Sequence, residues 1–400
     1  MFNQNIRIRR GGMRDLFVGS RIMLLAAFFL ILPILKFVSE GNCFLKGDIN
    51  NDDKIDLTET IHSLQVTSGT RTALSSKTIN VPEDIPTIQA AIDSAGEGDI
   101  INIAAGIYNE SLTISTNRIT LQGASKESTI IDGGGQDIIT IDGSQRIYIA
   151  GVALKNGNDG ILGKPGSMFT VKDVVIQDCA DDGIELYGNS GAGFDDLSVL
   201  RSGDAGIWLT QNSTGVFLGS VISNDNGNTG IMIFGSSDAT FVGATITISN
   251  NGGSGIIVSG SSSLFSNNST VTLQNNVRDG IGILGGSHLQ LNENDTWLAQ
   301  NNLRGLVVAG GSWLVMRSTT RLTVNGNSLR GIQIAENANA EIQGIVTVEN
   351  NSNYGIFIDT GASIAIFNTA SLTVKGIQGG EGIGILIMDN SSLNAWGGLY

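Results

Sequence analysis

Disulfides cannot hold this chain together: its 400 residues include only two cysteines, Cys43 and Cys179, which lie in different modules. Histidine is as scarce, and His62 and His288 read as incidental residues rather than ligands. Only 15% of residues are charged, there are 4 prolines, and apolar segments of helical period are almost absent. That combination excludes both a disordered chain and a coiled coil. Basic residues are outnumbered 23 to 37 by acidic ones, for a net charge of −14. Such a balance argues against nucleic acid or an anionic lipid surface as partner.

What the chain has in excess is glycine, 54 residues in all. Gly160, Gly183, Gly206, Gly230, Gly255, Gly280, Gly305, Gly331, Gly355 and Gly384 follow one another at spacings of 23, 23, 24, 25, 25, 25, 26, 24 and 29 residues. This is one structural repeat about every 25 positions. Apolar residues stand one and three places after nearly every glycine, as at Ile184 and Leu186, Ile207 and Leu209, and Ile231 and Ile233. A period of two specifies a strand. Four places before the glycine stands Asn156, Asn226, Asn251, Asn276, Asn301, Asn327 or Asn351, replaced by Cys179 and Ser202 in two copies. Asparagine tolerates the left-handed backbone of a tight turn, and stacked asparagines can bond one another. A strand, a corner, a second strand such as Ala239 to Gly243 and a third such as Thr245 to Ile248 make one coil. Coils of 23–29 residues stack as an all-β parallel β-helix, each strand pairing with its copies roughly 4.8 Å above and below. A chain this long would ordinarily suggest two or three domains, but a repeat array adds length without adding cores.

Ahead of the repeats, Arg7, Arg9, Arg10, Arg14 and Arg21 precede a 14-residue apolar run from Ile22 to Leu35 that contains Pro33. The run is short for a membrane span and suits a secretory signal, with Ser39 and Gly41 placed for cleavage before Asn42. An uncleaved anchor and lipid attachment at Cys43 are the alternatives, and the membrane is a partner only through this segment. The expected location is extracellular or at the cell surface. Removing residues 1–41 takes away six basic and two acidic side chains, moving the net charge from −14 to about −18.

Asp48, Asn50, Asp52, Lys54, Asp56 and Glu59 occupy positions 1, 3, 5, 7, 9 and 12 of a twelve-residue EF-hand calcium pattern. Four short side chains, the Lys54 carbonyl and a bidentate Glu59 supply the oxygens that Ca2+ requires, and Ile55 anchors the loop. Asp53 takes the sixth place, where glycine is usual, and Thr58 to Val66 reads as the exiting helix. Residues 42–70 form this calcium segment. The stretch from Gly47 to Gly69, GDINNDDKIDLTETIHSLQVTSG, resembles one calcium-binding repeat of a dockerin, which implies a scaffold protein as partner; dockerins carry two such repeats and this chain shows one. The stretch from Ile79 to Glu110, INVPEDIPTIQAAIDSAGEGDIINIAAGIYNE, resembles the opening of pectin-lyase-like right-handed parallel β-helix proteins. That resemblance covers residues 75–400 and implies the right-handed form of the solenoid. Thr87 to Ser94 is expected as a short helix with Ile88, Ala91, Ile92 and Ala95 on one side, covering the apolar end of the first coil. No such cap is visible near Tyr400, which leaves truncation or end-to-end dimerisation as expectations.

Chemistry is expected where polar groups interrupt the ladder. One and two places before the glycines stand Asn158 and Asp159, Asp181 and Asp182, then Asp204 and Asn228. Carboxylates about 5 Å apart share a proton, bind a cation or meet a positive partner. Asp159, Asp181 and Asp182 resemble the aspartate signature of polygalacturonases and are the candidate catalytic residues. That family's Gly-His-Gly and Arg-Ile-Lys motifs have no counterpart here, nor has the Asp-Pro-His signature of alginate epimerases. Farther along, Arg278, Arg304 and Arg330 form a candidate ladder for gripping an acidic polysaccharide. Two places after the glycines, Trp208, Met232, Ile257, Val307, Phe357 and Leu386 face outward, and Trp208 adjoins the acidic ledge. The sequence therefore supports a secreted, calcium-binding β-helix that engages extracellular polysaccharide. A polysaccharide hydrolase or lyase acting through the aspartates is the alternative, and a structural or adhesive surface protein the second.

Overall fold

The computed structural model describes residues 76–396; the signal segment and the EF-hand loop lie outside them. The described chain is a right-handed parallel β-helix. A 12-stranded sheet carries the strands that follow the repeated glycines, in the order of the coils. Its register is regular, with Ile184, Ile207, Ile231, Ile256 and Ile281 in one row. A 22-stranded sheet completes the other sides. Strands Met168–Gln177 and Gly191–Leu200 run through its corner by way of Asp173 and Asp196, at φ 52° and 53°. Farther on, Gly243 at φ 58° separates Asp238–Val242 from Thr245–Ser249, so the corner divides one strand into the two read from sequence.

The repeated glycines owe their identity to space rather than to backbone angle. A Cβ on Gly255 or Gly280 would stand 2.6 Å from the carbonyl oxygen of Gly280 or Gly305, the equivalent residue one coil on. That carbonyl accepts a ladder bond, as when Ile231 N–H donates to Gly255 O at 2.9 Å. Adding a methyl group would push the coils apart.

Asparagine occupies two adjacent columns. In one, Asn226, Asn251, Asn276, Asn302, Asn327 and Asn351 are buried, and each Nδ2 donates to the Oδ1 of the next at 2.9, 2.9, 3.0, 3.3 and 2.8 Å. In the other, Asn156, Asn250, Asn275, Asn301 and Asn350 hold φ between 55° and 59°. Asn156 and Asn301 thus turn the corner and do not join the buried ladder, a difference from the single column expected.

Inside, isoleucine, leucine and valine from all sides are almost wholly removed from water. Each such side chain contributes roughly 1.5–3 kcal/mol. Phe194, Phe217, Phe241 and Trp297 contact one another in turn, with ring centroids 4.9, 5.0 and 6.1 Å apart, the first pair tilted, the second edge-to-face and the third stacked. The helix Ile88–Ser94 buries Ile88, Ala91 and Ile92 against this core. Its N-cap, Thr87, accepts from Ala90 N–H, and Glu110 accepts from Ile88 and Gln89 N–H at 3.0 and 2.9 Å.

Candidate functional site

In the 12-stranded sheet the first and third residues after each repeated glycine point inward and the second outward. Glu185, Trp208, Met232, Ile257, Gly282, Val307, Gln333, Phe357 and Leu386 consequently form one outward row. The expected stripe exists, but parts of it are covered. Val307 is only 3% exposed, packed with Ala309, Ala335 and Leu284 in a small cluster separate from the core. Phe357 is 7% exposed and lies beneath the Arg330 guanidinium. Trp208 is half-buried in this row between Glu185 and Met232, and its indole Nε1 is buried without a hydrogen-bond partner.

Beside Trp208 the carboxylates divide by environment. Asp159 and Asp182 are buried, 4% and 1% exposed, and each accepts a backbone N–H from the next coil: Asp182 N–H to Asp159 Oδ1 at 3.0 Å, Ala205 N–H to Asp182 Oδ1 at 2.8 Å. Asp137 continues the pattern one coil earlier, accepting from Asp159 N–H at 3.3 Å and from Asn158 Nδ2 at 3.1 Å. Burial pushes the Asp159 carboxyl up to about 7 and Asp182 up to about 8, with neighbouring carboxylates adding to the effect. Burial also raises Glu185 on the outward row, as do Asp181 and Asp137. Asp181 is exposed and Asp204 half-buried, and an oxygen of each comes within 4.8 Å of one from Asp182. Three such oxygens fall short of the six to eight that Ca2+ takes.

The structure joins Asp159, Asp181 and Asp182 on one edge, and adds Asp137 and Glu185, which sequence reasoning missed. Asp137 escaped because Ile138, not glycine, precedes its strand, Ile139–Ile141. Glu185 escaped because it occupies an outward place that was read for apolar residues only.

Toward the other end, Arg304 and Arg330 share a row with Asp279 and Tyr354. Arg278 stands one residue outside that row, aligned with Leu303, whose N–H donates to Arg278 O at 2.7 Å. Asp279 takes the place expected for Arg278, and it is Arg304, from the next coil, that pairs with it. Arg304 Nε and Nη2 donate to the two Asp279 carboxylate oxygens at 2.6 and 3.0 Å. The three candidate arginines are therefore a register-matched pair with a third beside it.

A stack of short parallel strands with polar groups gathered along one outer face is a class of architecture shared by many proteins, and comparison bears this out. Residues 104–271 match the family model described as right-handed beta helix region. The A-module of Azotobacter vinelandii mannuronan C-5 epimerase AlgE4 has a similar solved structure, at 17% identity over 81% of this chain and 98% of that one, with a TM-score of 0.61. The AlgE6 A-module from the same organism is similar at 16% identity over 75% and 94%, TM-score 0.57. The periplasmic alginate epimerase AlgG is similar at 12% identity over 80% and 83%, TM-score 0.51. At these identities the likeness is one of fold. No curated protein sequence matches.

Proposed function

We propose that this chain is a polysaccharide-binding β-helix whose glycan lies along the outer face of the 12-stranded sheet. The observation that carries this reading is Trp208. It is a half-buried indole on a flat outer face, flanked by Glu185 and Met232 and adjoining the carboxylate edge of Asp181, Asp182 and Asp204. An aromatic face stacks on the apolar face of a sugar ring, while carboxylates accept from its hydroxyl groups. Coils stacked every ~4.8 Å extend this outer face as one long row, which suits a polymer better than a single small molecule. The names of the similar epimerase structures, all of which act on polysaccharide, support the same reading.

The finer parts of the proposal concern residues 1–75. There the protein carries an export signal that places it outside the cell or on its surface, and a calcium loop formed by Asp48, Asn50, Asp52, Lys54, Asp56 and Glu59. Through its dockerin-like phrase the same segment offers a surface for a scaffold protein. The test of the central reading is a glycan array with the exported protein, followed by titration of the retained glycan against Trp208→Ala. Loss of at least tenfold in affinity is expected; an array with no retained polysaccharide, or unchanged affinity in the variant, would refute it.

Catalysis by Asp159, Asp181 and Asp182 is the second reading, favoured by two buried carboxyls, Asp159 and Asp182, pushed up to about 7 and about 8, the direction a general acid needs. Their burial and their use as acceptors for backbone N–H groups of the next coil weigh instead on the side of a structural role. Polygalacturonate incubated with the protein is expected to give no robust cleavage. Product that disappears in Asp182→Asn would establish the catalytic reading instead.

A further inference from the structure

We propose that Arg330, set beside Arg304 on the outer face, is a subsite for the carboxylate of an acidic sugar residue. The inference rests on the polysaccharide reading and adds to it the charge of the glycan.

Two guanidinium groups from successive coils meet here, and among the described residues one carboxylate is ion-paired with them. Asp279 is engaged through both oxygens by Arg304. Among the described residues no carboxylate lies within ion-pair distance of Arg330. Its anchor is a neutral one: Gln333 Oε1 accepts from Arg330 Nη1 at 2.8 Å and from Arg304 Nη1 at 3.3 Å, so a single amide oxygen bridges two cations. Arg330 Nε is buried with no hydrogen-bond partner. Arg330 is thus a half-buried cation with no ion-pair partner among the described residues, in a chain with 37 acidic and 23 basic residues. Burial first, and then the like charge of Arg304, act against its protonated form, offset only in part by Tyr354 and by Asp359, whose carboxylate lies beyond ion-pair distance. An anion arriving between the two arginines would relieve both costs.

The aromatic residues fix how such an anion is met. The Arg330 Cζ lies 3.9 Å from the Phe357 ring centroid and 5.7 Å from that of Tyr354. With one face laid on Phe357 and Nη1 held by Gln333, the guanidinium keeps Nε and Nη2 without a protein partner among the described residues, and a planar N–H fork matches a carboxylate in two-point contact. A uronate residue supplies such a carboxylate on a ring that packs beside Tyr354. Between Trp208 and Gln333 the outward row passes five strand steps, roughly 24 Å at the usual strand spacing. One oligosaccharide of several residues would reach both places.

The test is calorimetric titration of the full chain with oligogalacturonates and oligomannuronates, alongside the same oligosaccharides after reduction of their carboxyl groups to alcohols. The acidic ligands are expected to bind at least tenfold more tightly than the reduced ones. Arg330→Gln should abolish that preference, and Arg330→Lys, which keeps the charge but loses the fork, should restore part of it. Equal binding of acidic and reduced ligands overturns the subsite without requiring a variant, as does an acidic preference that survives Arg330→Gln. If only neutral glycans bind, this inference fails and the general reading stands; if no glycan of either kind binds, both fail.

Discussion

Replacing Asn251 by alanine should cost roughly 2–4 kcal/mol, although the residue touches no candidate ligand. Its Oδ1 accepts from Asn226 N–H at 3.0 Å and Asn226 Nδ2 at 2.9 Å, and its Nδ2 donates to Asn276 Oδ1 at 2.9 Å and Ser223 O at 3.1 Å. Truncation leaves the buried Asn226 N–H with no acceptor. Asn226 Nδ2 keeps only Ser223 Oγ at 3.1 Å, and the Ser223 carbonyl loses a donor. A fully orphaned buried group costs about 1–3 kcal/mol, and the small void adds to that. The neighbouring Asn250 supplies the control. It is exposed at φ 59°, bonded through its side chain only to Asp225 Oδ1 at 3.1 Å. Glycine adopts that backbone freely, so Asn250→Gly should lie within about 0.5 kcal/mol of the parent. Guanidinium denaturation midpoints give the ranking, and hydrogen exchange at the Asn226 amide gives the local consequence. Equal midpoints for the two variants, with the Asn226 amide still protected in Asn251→Ala, would refute the view that the buried ladder carries the stack.

Acidity provides a second prediction. Asp159 and Asp182 have folded pKa values of about 7 and about 8, above the roughly 3.9 of an unfolded aspartate. Between those limits the folded state binds more protons, so their contribution to stability is full below pH 4 and declines as pH rises to about 8. Asp182→Asn keeps the acceptor for Ala205 N–H without the ionisable group, and its melting temperature should exceed the parent's at pH 8 but not at pH 4; a parent more stable than the variant at pH 8 would contradict this. Removing Asp48 and Glu59 together should lower calcium affinity sharply, as followed by calorimetry on the exported chain, and unchanged binding would show that the loop motif is decorative.

Much of this fold was legible in the chain because a solenoid repeats one local rule. Glycines about 25 residues apart, followed by apolar residues at a period of two, were enough to give the strands, their inward faces and their stacking. The short helix read from Thr87 to Ser94, with Ile88, Ala91 and Ile92 on its buried side, was equally readable from local spacing, and the structure makes Thr87 its N-cap. The asparagine columns were less so. In the coils of Gly160 and Gly305 the turn before the glycine is one residue shorter, so counting back four places lands on the left-handed corner instead of the buried ladder. The same kind of slip separates Arg278 from the row of Arg304 and Arg330, and a one-residue shift is enough to change which face a side chain takes.

The sequence by itself determined that this protein is a stack of parallel coils, because period, turn formers and apolar alternation are properties of neighbours along the chain. Only the tertiary structure decided that Asp159 and Asp182 are buried under backbone donors, that Asp279 belongs to Arg304, and that Arg330 rests on Phe357 without an acid of its own. Those facts depend on which residues, some 25 positions apart, come to lie one strand spacing from each other, and register across coils is set by the packing of the whole stack.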